Sequence, residues 1–196
     1  MQFNANRASK LAGSLLALVI SAGFSAINMN VARAGEIPKV GEVAADFTLE
    51  TPSGKKVHLT DATAKGPVVL VVLRGYPGYQ CPICTVQVNE LIGKAKTLEE
   101  RNARVILVYP GPAEGLKAHS EEFLGSKALP DNFNLVLDPD YRFTKAYGLR
   151  WDAPKETAYP STLVLDTDQK VLFAKVSKTH GGRAKAGEIL ESLPKK

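Results

Sequence analysis

The order of apolar segments predicts an α/β fold: a central mixed β-sheet flanked by helices, with a β-hairpin extension on its N-terminal side. Three observations carry this. Residues 67–73 (Pro-Val-Val-Leu-Val-Val-Leu) and 105–109 (Val-Ile-Leu-Val-Tyr) are continuous apolar runs, the pattern of strands buried on both faces. Between them Val88, Leu91, Ile92, Ala95 and Leu98 recur at helical spacing. The three segments form a βαβ unit, whose strands lie parallel with a right-handed crossover. Nearer the C-terminus, residues 161–165 and 171–175 are apolar runs joined by a short polar link, so they pair antiparallel.

The remaining elements follow in chain order. Arg7 and Lys10 precede an apolar stretch over about residues 11–27, and Ala32-Arg33-Ala34 has the small-x-small form of a signal-peptidase site. Residues 1–34 are therefore expected to be a cleaved signal peptide, and residues 35–196 one domain, exported to the periplasm or secreted. Residues 35–45 are a lead-in without periodicity. Phe47-Thr48-Leu49 and Val57-His58-Leu59 alternate around a Pro52-Ser53-Gly54 turn, which gives the N-terminal hairpin. Pro110-Gly111-Pro112 is expected to stop the second buried strand, and residues 113–124 have helical composition weakened by Gly115. Leu135-Val136-Leu137 reads as a short strand. Asp138, Pro139 and Asp140 open a helix through Tyr141 and Phe143 that Gly148 ends. A polar loop over residues 150–159 holds the only tryptophan, Trp151, and a loop with His180, Gly181, Gly182 and Arg183 precedes a last helix around Ile189, Leu190 and Leu193.

The formal charge is +5, and Arg7, Lys10 and Arg33 supply three of those charges with no acid in the same segment. The domain is then nearly neutral, without a basic run, which excludes nucleic acid as a partner on charge grounds. Chemistry concentrates in Pro77-Gly78-Tyr79-Gln80-Cys81-Pro82-Ile83-Cys84, which holds both cysteines of the chain. They fall where a buried strand ends and a helix begins, and Pro82 suits the first helical turn because its missing N–H leaves no bond unmade. Unpaired N–H groups and the helix dipole there favour a thiolate, with a pKa near about 7 in many Cys-x-x-Cys pairs. Closing so short a loop restrains the unfolded chain little, so the pair is read as a redox-active dithiol rather than a structural staple.

The element order, with Cys-x-x-Cys at the first strand-to-helix junction, resembles the thioredoxin fold over essentially all of residues 35–196. Residues 41–49 (Gly-Glu-Val-Ala-Ala-Asp-Phe-Thr-Leu) resemble the opening of the AhpC/TSA proteins, the peroxiredoxins and their relatives. Those enzymes carry Pro-x-x-x-Thr-x-x-Cys, whose cysteine attacks peroxide. Here Pro77 and Cys84 hold the first and last positions, and Cys81 stands in place of the threonine. Pro160 stands where the family typically has an arginine, and by resemblance to thioredoxins Tyr159-Pro160 is a cis bond facing the cysteines. The resemblance thus implies a redoxin needing no cofactor, with Cys81 and Cys84 catalytic and Pro77, Tyr159 and Pro160 positioning the substrate. Arg74 and Arg183 are the candidates to replace the missing charge.

Two cycles remain open. In disulfide exchange, Cys81 is an exposed thiolate that attacks a protein or small-molecule disulfide, and the more buried Cys84 resolves the mixed disulfide. In a thiol peroxidase, Cys84 attacks peroxide and Cys81 condenses with the resulting sulfenic acid. Exchange is favoured because the threonine and arginine are missing; either route draws electrons from a thiol reductant or a redox partner protein. A copper(I) chaperone is a third, weaker reading, since soft thiolates select that ion. His58, His119 and His180 lack ligand spacing, and no metal is assigned. His180 is expected to be a solvated loop residue, and Trp151, Tyr76 and Tyr79 to border a substrate groove.

Overall fold

The computed structural model describes residues 30–195. Most of the expected signal segment, residues 1–29, lies outside them. Seven strands form one mixed sheet in the order β2-β1-β5-β4-β3-β6-β7. The central pair, β3 (Val68–Val72) and β4 (Arg104–Gly111), runs parallel, with Val68 opposite Arg104 and Val72 opposite Val108. All five residues of β3 are buried, as a run without alternation requires of a strand covered on both faces. β5 (Phe133–Pro139) adds parallel to β4. On the other side, β6 (Ser161–Leu165) and β7 (Val171–Val176) complete the sheet antiparallel. The hairpin of β1 (Thr48–Glu50) and β2 (Lys56–His58) extends the far edge through a single pairing, Glu50 with Leu137.

Two cores follow from the alternation of side chains across β3, β4 and β6. Val69, Val71, Val105, Leu107 and Tyr109 face one way, onto both cysteines, Val88, Leu91, Leu98 and Ile189. Val68, Leu70, Val72, Ile106, Val108 and Leu163 face the other, onto Leu59, Phe143, Tyr147 and Leu149. The cysteines are therefore built into the larger core and not attached to a loop outside it.

Several boundaries differ from expectation, each for a local reason. The helix after the cysteines is two, α2 (Pro82–Ile92) and α3 (Ala95–Glu100), broken at Gly93 and Lys94; Val88, Leu91 and Leu98 are buried, Ile92 and Ala95 half-buried. Leu59 opens a short helix, α1 (Leu59–Thr63), instead of closing β2. β4 runs through Pro110 and Gly111 where a stop was expected. Even-numbered residues of β4 face β3, as the bonds of Arg104 to Pro67 and of Leu73 to Val108 demonstrate. β3 has ended by Pro110, so the N–H that proline lacks has no bond to make there. α4 (Leu116–Leu124) starts after Gly115, whose φ of 71° is the left-handed region. Asp138 and Pro139 stay in β5, and the helix they were expected to open is α5 (Arg142–Ala146). The fully buried Asp138 carboxylate accepts from the N–H groups of Phe143 (2.7 Å) and Thr144 (3.0 Å), so it caps α5 from the strand end. The last helix is α6 (Ala186–Ser192). Residues 30–34 lie beside the lead-in: Ala32 N–H donates to Val43 O, and Val43 N–H to Asn30 O.

Candidate active site

Gly75 sets the path from β3 to the cysteines. Its φ is 72°, and a Cβ there would overlap the carbonyl oxygen of Pro110, so only glycine lets the chain turn so close to β4. The loop then passes Tyr76, Pro77 and Tyr79 and enters α2 at Cys81, the N-cap, with Pro82 in the first turn. Gln80 holds it: its amide donates to His119 O and Glu122 Oε2, both at 2.9 Å, and its Oε1 accepts from the buried Tyr109 hydroxyl at 2.9 Å.

As the N-cap, Cys81 accepts at Sγ the N–H of Cys84 (3.3 Å). Arg183 Nη2 is a second donor at 3.5 Å. Its pKa falls from 9.0 to about 6; hydrogen bonding from the Cys84 thiol is the largest cause, burial opposes it, and the Cys84 N–H, Arg183 and Arg74 add to it. Cys84 moves the other way. Burial pushes its thiol well up, and its neighbour Cys81 adds to the rise. Arg74 N–H donates to Cys84 Sγ at 3.4 Å and Arg183 lies nearby, both opposing the rise. One correction concerns access: Cys81 was expected to be exposed, yet it is 3% accessible and Cys84 1%. N-capping turns Cys81 Sγ inward over the first turn of α2, where Arg183 reaches it.

The two candidate arginines do different work. Arg74 is buried and already neutralised: Nε donates to Glu156 Oε2 at 2.9 Å, Nη1 to the Tyr79 hydroxyl at 2.6 Å, and Nη2 to Lys155 O at 2.9 Å. It ties the 150–159 loop to the active-site loop. Glu156 also binds His180 Nε2 at 2.8 Å, so His180 is paired and not simply solvated. Burial alone would raise the Glu156 pKa, but the hydrogen bonds from Arg74 and His180 bring it below the usual carboxylate range. Arg183 instead reaches the dithiol. Its Nε donates to His180 O (3.1 Å) and Nη1 to Gln87 Oε1 (3.0 Å), while Gln87, one turn beyond Cys84, donates to Thr162 Oγ1 (3.4 Å).

Pro160 is buried at the start of β6, and the pairing of Val72 with Ser161 sets it beside the exit of β3, at the cysteine end of the sheet. Its carbonyl accepts from Ser177 N–H at 2.8 Å. Tyr159 stacks on Trp151 (4.9 Å), which also meets His180 (5.4 Å). On the other side of the active-site loop, Tyr76, Pro77, His119, Tyr141 and Glu156 border a cleft of about 660 Å³. Tyr76 stacks on His119 at 3.5 Å. The sequence reading does not single out Glu156 or Gln87. Nothing in a polar loop marks Glu156, but Gln87 sits on the buried stripe of α2, where a polar residue signals a partner. Among the described residues no three His, Cys, Asp or Glu side chains converge as a metal site, and no helix is long and apolar enough to cross a membrane.

Residues 40–174 match the AhpC/TSA family. The chain belongs to the AhpC/TSA family. Among relatives, the Helicobacter pylori peroxiredoxin bcp is 30% identical over 163 residues, covering 79% of this chain and 97% of its own length. The thiol-disulfide oxidoreductase ResA of Bacillus subtilis is 26% identical over 160 residues, covering 82% and 79%. The crystal structure of peroxidoxin BcpB from Mycobacterium tuberculosis has the same fold, with a TM-score of 0.62 and 24% identity, over 80% of this chain and 96% of that one. This AhpC/TSA protein is an oxidoreductase with a Cys-x-x-Cys centre, and the thioredoxin-type fold expected from its element order is the one observed.

Proposed function

We propose that this AhpC/TSA redoxin is an exported thiol-disulfide exchange enzyme in which Cys81 attacks and Cys84 resolves. The observation that carries the reading is the opposite displacement of the two thiols: Cys81 is drawn down to about 6, while burial pushes Cys84 up. At neutral pH the nucleophile is the Cys81 thiolate. It attacks one sulfur of a substrate disulfide, the other sulfur leaves as a thiolate and takes a proton, and a mixed disulfide forms.

That step also prepares the next. Once Cys81 is bonded to substrate, its charge and its hold on the Cys84 proton are gone, and both had kept the Cys84 thiol protonated. Arg183 and the Arg74 N–H remain to favour the Cys84 thiolate. Cys84 then attacks Cys81 Sγ, the substrate leaves as a thiolate, and the intramolecular disulfide closes. Because Cys81 is 3% accessible, Arg183 and its loop must shift to admit the substrate sulfur. A thiol reductant or redox partner protein restores the dithiol.

The peroxidase alternative has the peroxiredoxins among the relatives and the Arg74 N–H aimed at Cys84 in its favour. It needs Cys84 as the first thiolate, against the direction of its shift. Incubation of Cys84→Ser with a disulfide substrate tests the order of events: a stable mixed disulfide on Cys81 is expected, and no adduct means that Cys81 is not the attacking residue. Export rests on Arg7, Lys10, the apolar stretch and Ala32-Arg33-Ala34. It is tested by the N-terminal sequence of the protein recovered from the periplasm or medium, expected to begin at Gly35; recovery only from the cytoplasm with Met1 present contradicts it.

A further inference from the structure

Arg183 is the cation near the dithiol whose charge no carboxylate answers. Among the described residues none of the ion pairs involves it, whereas Arg74 is matched by Glu156. The acids bonded to its chain neighbours are occupied: Glu156 holds Arg74 and His180, and Glu90 accepts the Ala186 N–H at 2.9 Å. Of the five N–H groups of its guanidinium, one goes to His180 O, one to Gln87 Oε1 and one to Cys81 Sγ. The other two have no acceptor among the described residues, one on each terminal nitrogen. The side chain is half-buried, in a loop that carries Gly181 and Gly182 and in which Ser177 Oγ donates to Gly181 O.

Among the described residues the only anion that answers this charge is the Cys81 thiolate, and it exists only in the dithiol. When Cys81 and Cys84 form a disulfide, the negative charge on Sγ disappears and the third N–H is released. The guanidinium then has three free donors in its fork beside the sulfur that a reductant must attack, the donor set that a carboxylate fills bidentately. We propose that Arg183 is a redox-gated carboxylate site, so that the preferred reductant of the disulfide is a thiol bearing a carboxylate close to its sulfur. This rests on the dithiol–disulfide cycle proposed above and names the chemistry of its electron donor.

The step balances as ordinary exchange. The thiolate of the reductant attacks Cys81 Sγ, the Cys81–Cys84 bond breaks, and Cys84 leaves as a thiolate that takes a proton. A second thiolate attacks the outer sulfur of the mixed disulfide and releases the Cys81 thiolate. Two thiols are oxidised to one disulfide while the protein gains two electrons. The carboxylate is held on Arg183 until the Cys81 thiolate re-forms, competes for the same N–H, and displaces the product.

The test follows reduction of the oxidised protein by 3-mercaptopropionate, 2-mercaptoethanol and cysteamine, compared at equal thiolate concentration and corrected for thiol basicity. A peptide with glutamate next to its cysteine is the fourth arm, and separates a protein-borne carboxylate from a small acidic thiol. At low ionic strength the carboxylate thiol is expected to react about tenfold faster than the neutral one, the low end of what a focused charge gives. The preference should vanish in Arg183→Met, persist in part in Arg183→Lys, and survive in Lys178→Met, which removes an exposed charge from the same loop. An undiminished preference in Arg183→Met overturns the assignment, and so does the absence of any preference in the wild type. If Arg183→Met does not fold, 3-(methylthio)propionate decides: it carries the carboxylate but no thiol, and must slow reduction by 3-mercaptopropionate competitively, with no competition overturning the proposal. Failure of every thiol to reduce the protein would instead sink the dithiol cycle, and this inference with it.

Discussion

Replacing Arg183 by methionine should raise the pKa of Cys81 by about one unit, and replacing Cys84 by alanine should raise it by more. Cys81 titrates at about 6 in place of 9.0, with the Cys84 thiol as the largest cause and the Cys84 N–H, Arg183 and Arg74 following, against an opposing effect of burial. A hydrogen bond to a charged group is worth about 1.5–3 kcal/mol, so Cys84→Ala should raise Cys81 by about one to two units. Cys84→Ser keeps an O–H donor and should leave it near 6. A unit charge at the 3.5 Å of Arg183 Nη2 is worth about 1 kcal/mol in bulk water and about 5 kcal/mol at a surface-like dielectric. Because Arg183 ranks behind both hydrogen bonds, its effect belongs near the lower end, about 1–2 kcal/mol or about one pH unit. The assay is the rate of iodoacetamide alkylation as a function of pH, with the alkylated cysteine located by mass spectrometry. If Arg183→Met and Cys84→Ala both titrate where the wild type does, the neighbours named here do not set the nucleophile.

Linkage gives a companion result on stability. The folded pKa of Cys81 lies below its ordinary value, so its contribution is present above about 9 and is lost as pH falls through about 6. The reduced wild type should therefore gain stability over Cys81→Ala between those limits, by about 1–2 kcal/mol once solvent screening is allowed for, read by urea denaturation at a series of pH values; a flat difference contradicts the assignment. Glu156→Ala should cost about 3 kcal/mol, because Arg74 is left buried without its anion, and should loosen both the Tyr79 and His180 sides of the site. Asp138→Ala leaves two buried N–H groups of α5 unpaired and should cost about 2–3 kcal/mol in the same assay, with little change in the Cys81 titration. Gly75→Ala forces a Cβ against Pro110 O in the left-handed region and should cost at least about 3 kcal/mol or abolish folding, and an unperturbed variant would mean that the turn is not held as described.

The backbone of the fold was legible because its signals are local. Unbroken apolar runs marked β3, β4 and β6, helical spacing marked α2, and the place of the cysteines at a strand-to-helix junction followed from strand, proline and helix in that order. Boundaries went astray where a tertiary neighbour decided them. Pro110 stays in β4 because β3 has already ended, and the helix after the cysteines breaks at Gly93 although the apolar stripe continues to Leu98. The site was legible in the placing of its two cysteines and not in their surroundings. Arg74 and Arg183 look alike as sequence, and only the fold brings Glu156 onto the first, 82 residues away, and Cys81 onto the second, 102 residues away. Burial of Cys81 was equally invisible, since Arg183, which lies against its sulfur, is 102 residues downstream.

The most direct test of the central claim mixes the reduced protein separately with a disulfide substrate and with hydrogen peroxide, and follows thiol loss in the wild type, Cys81→Ser and Cys84→Ser. Cys81 as the attacking thiolate predicts fast oxidation by disulfide, slow oxidation by peroxide, and no reaction of Cys81→Ser with either. Rapid oxidation by peroxide that Cys81→Ser retains at full speed would make Cys84 the peroxidatic residue and contradict the account.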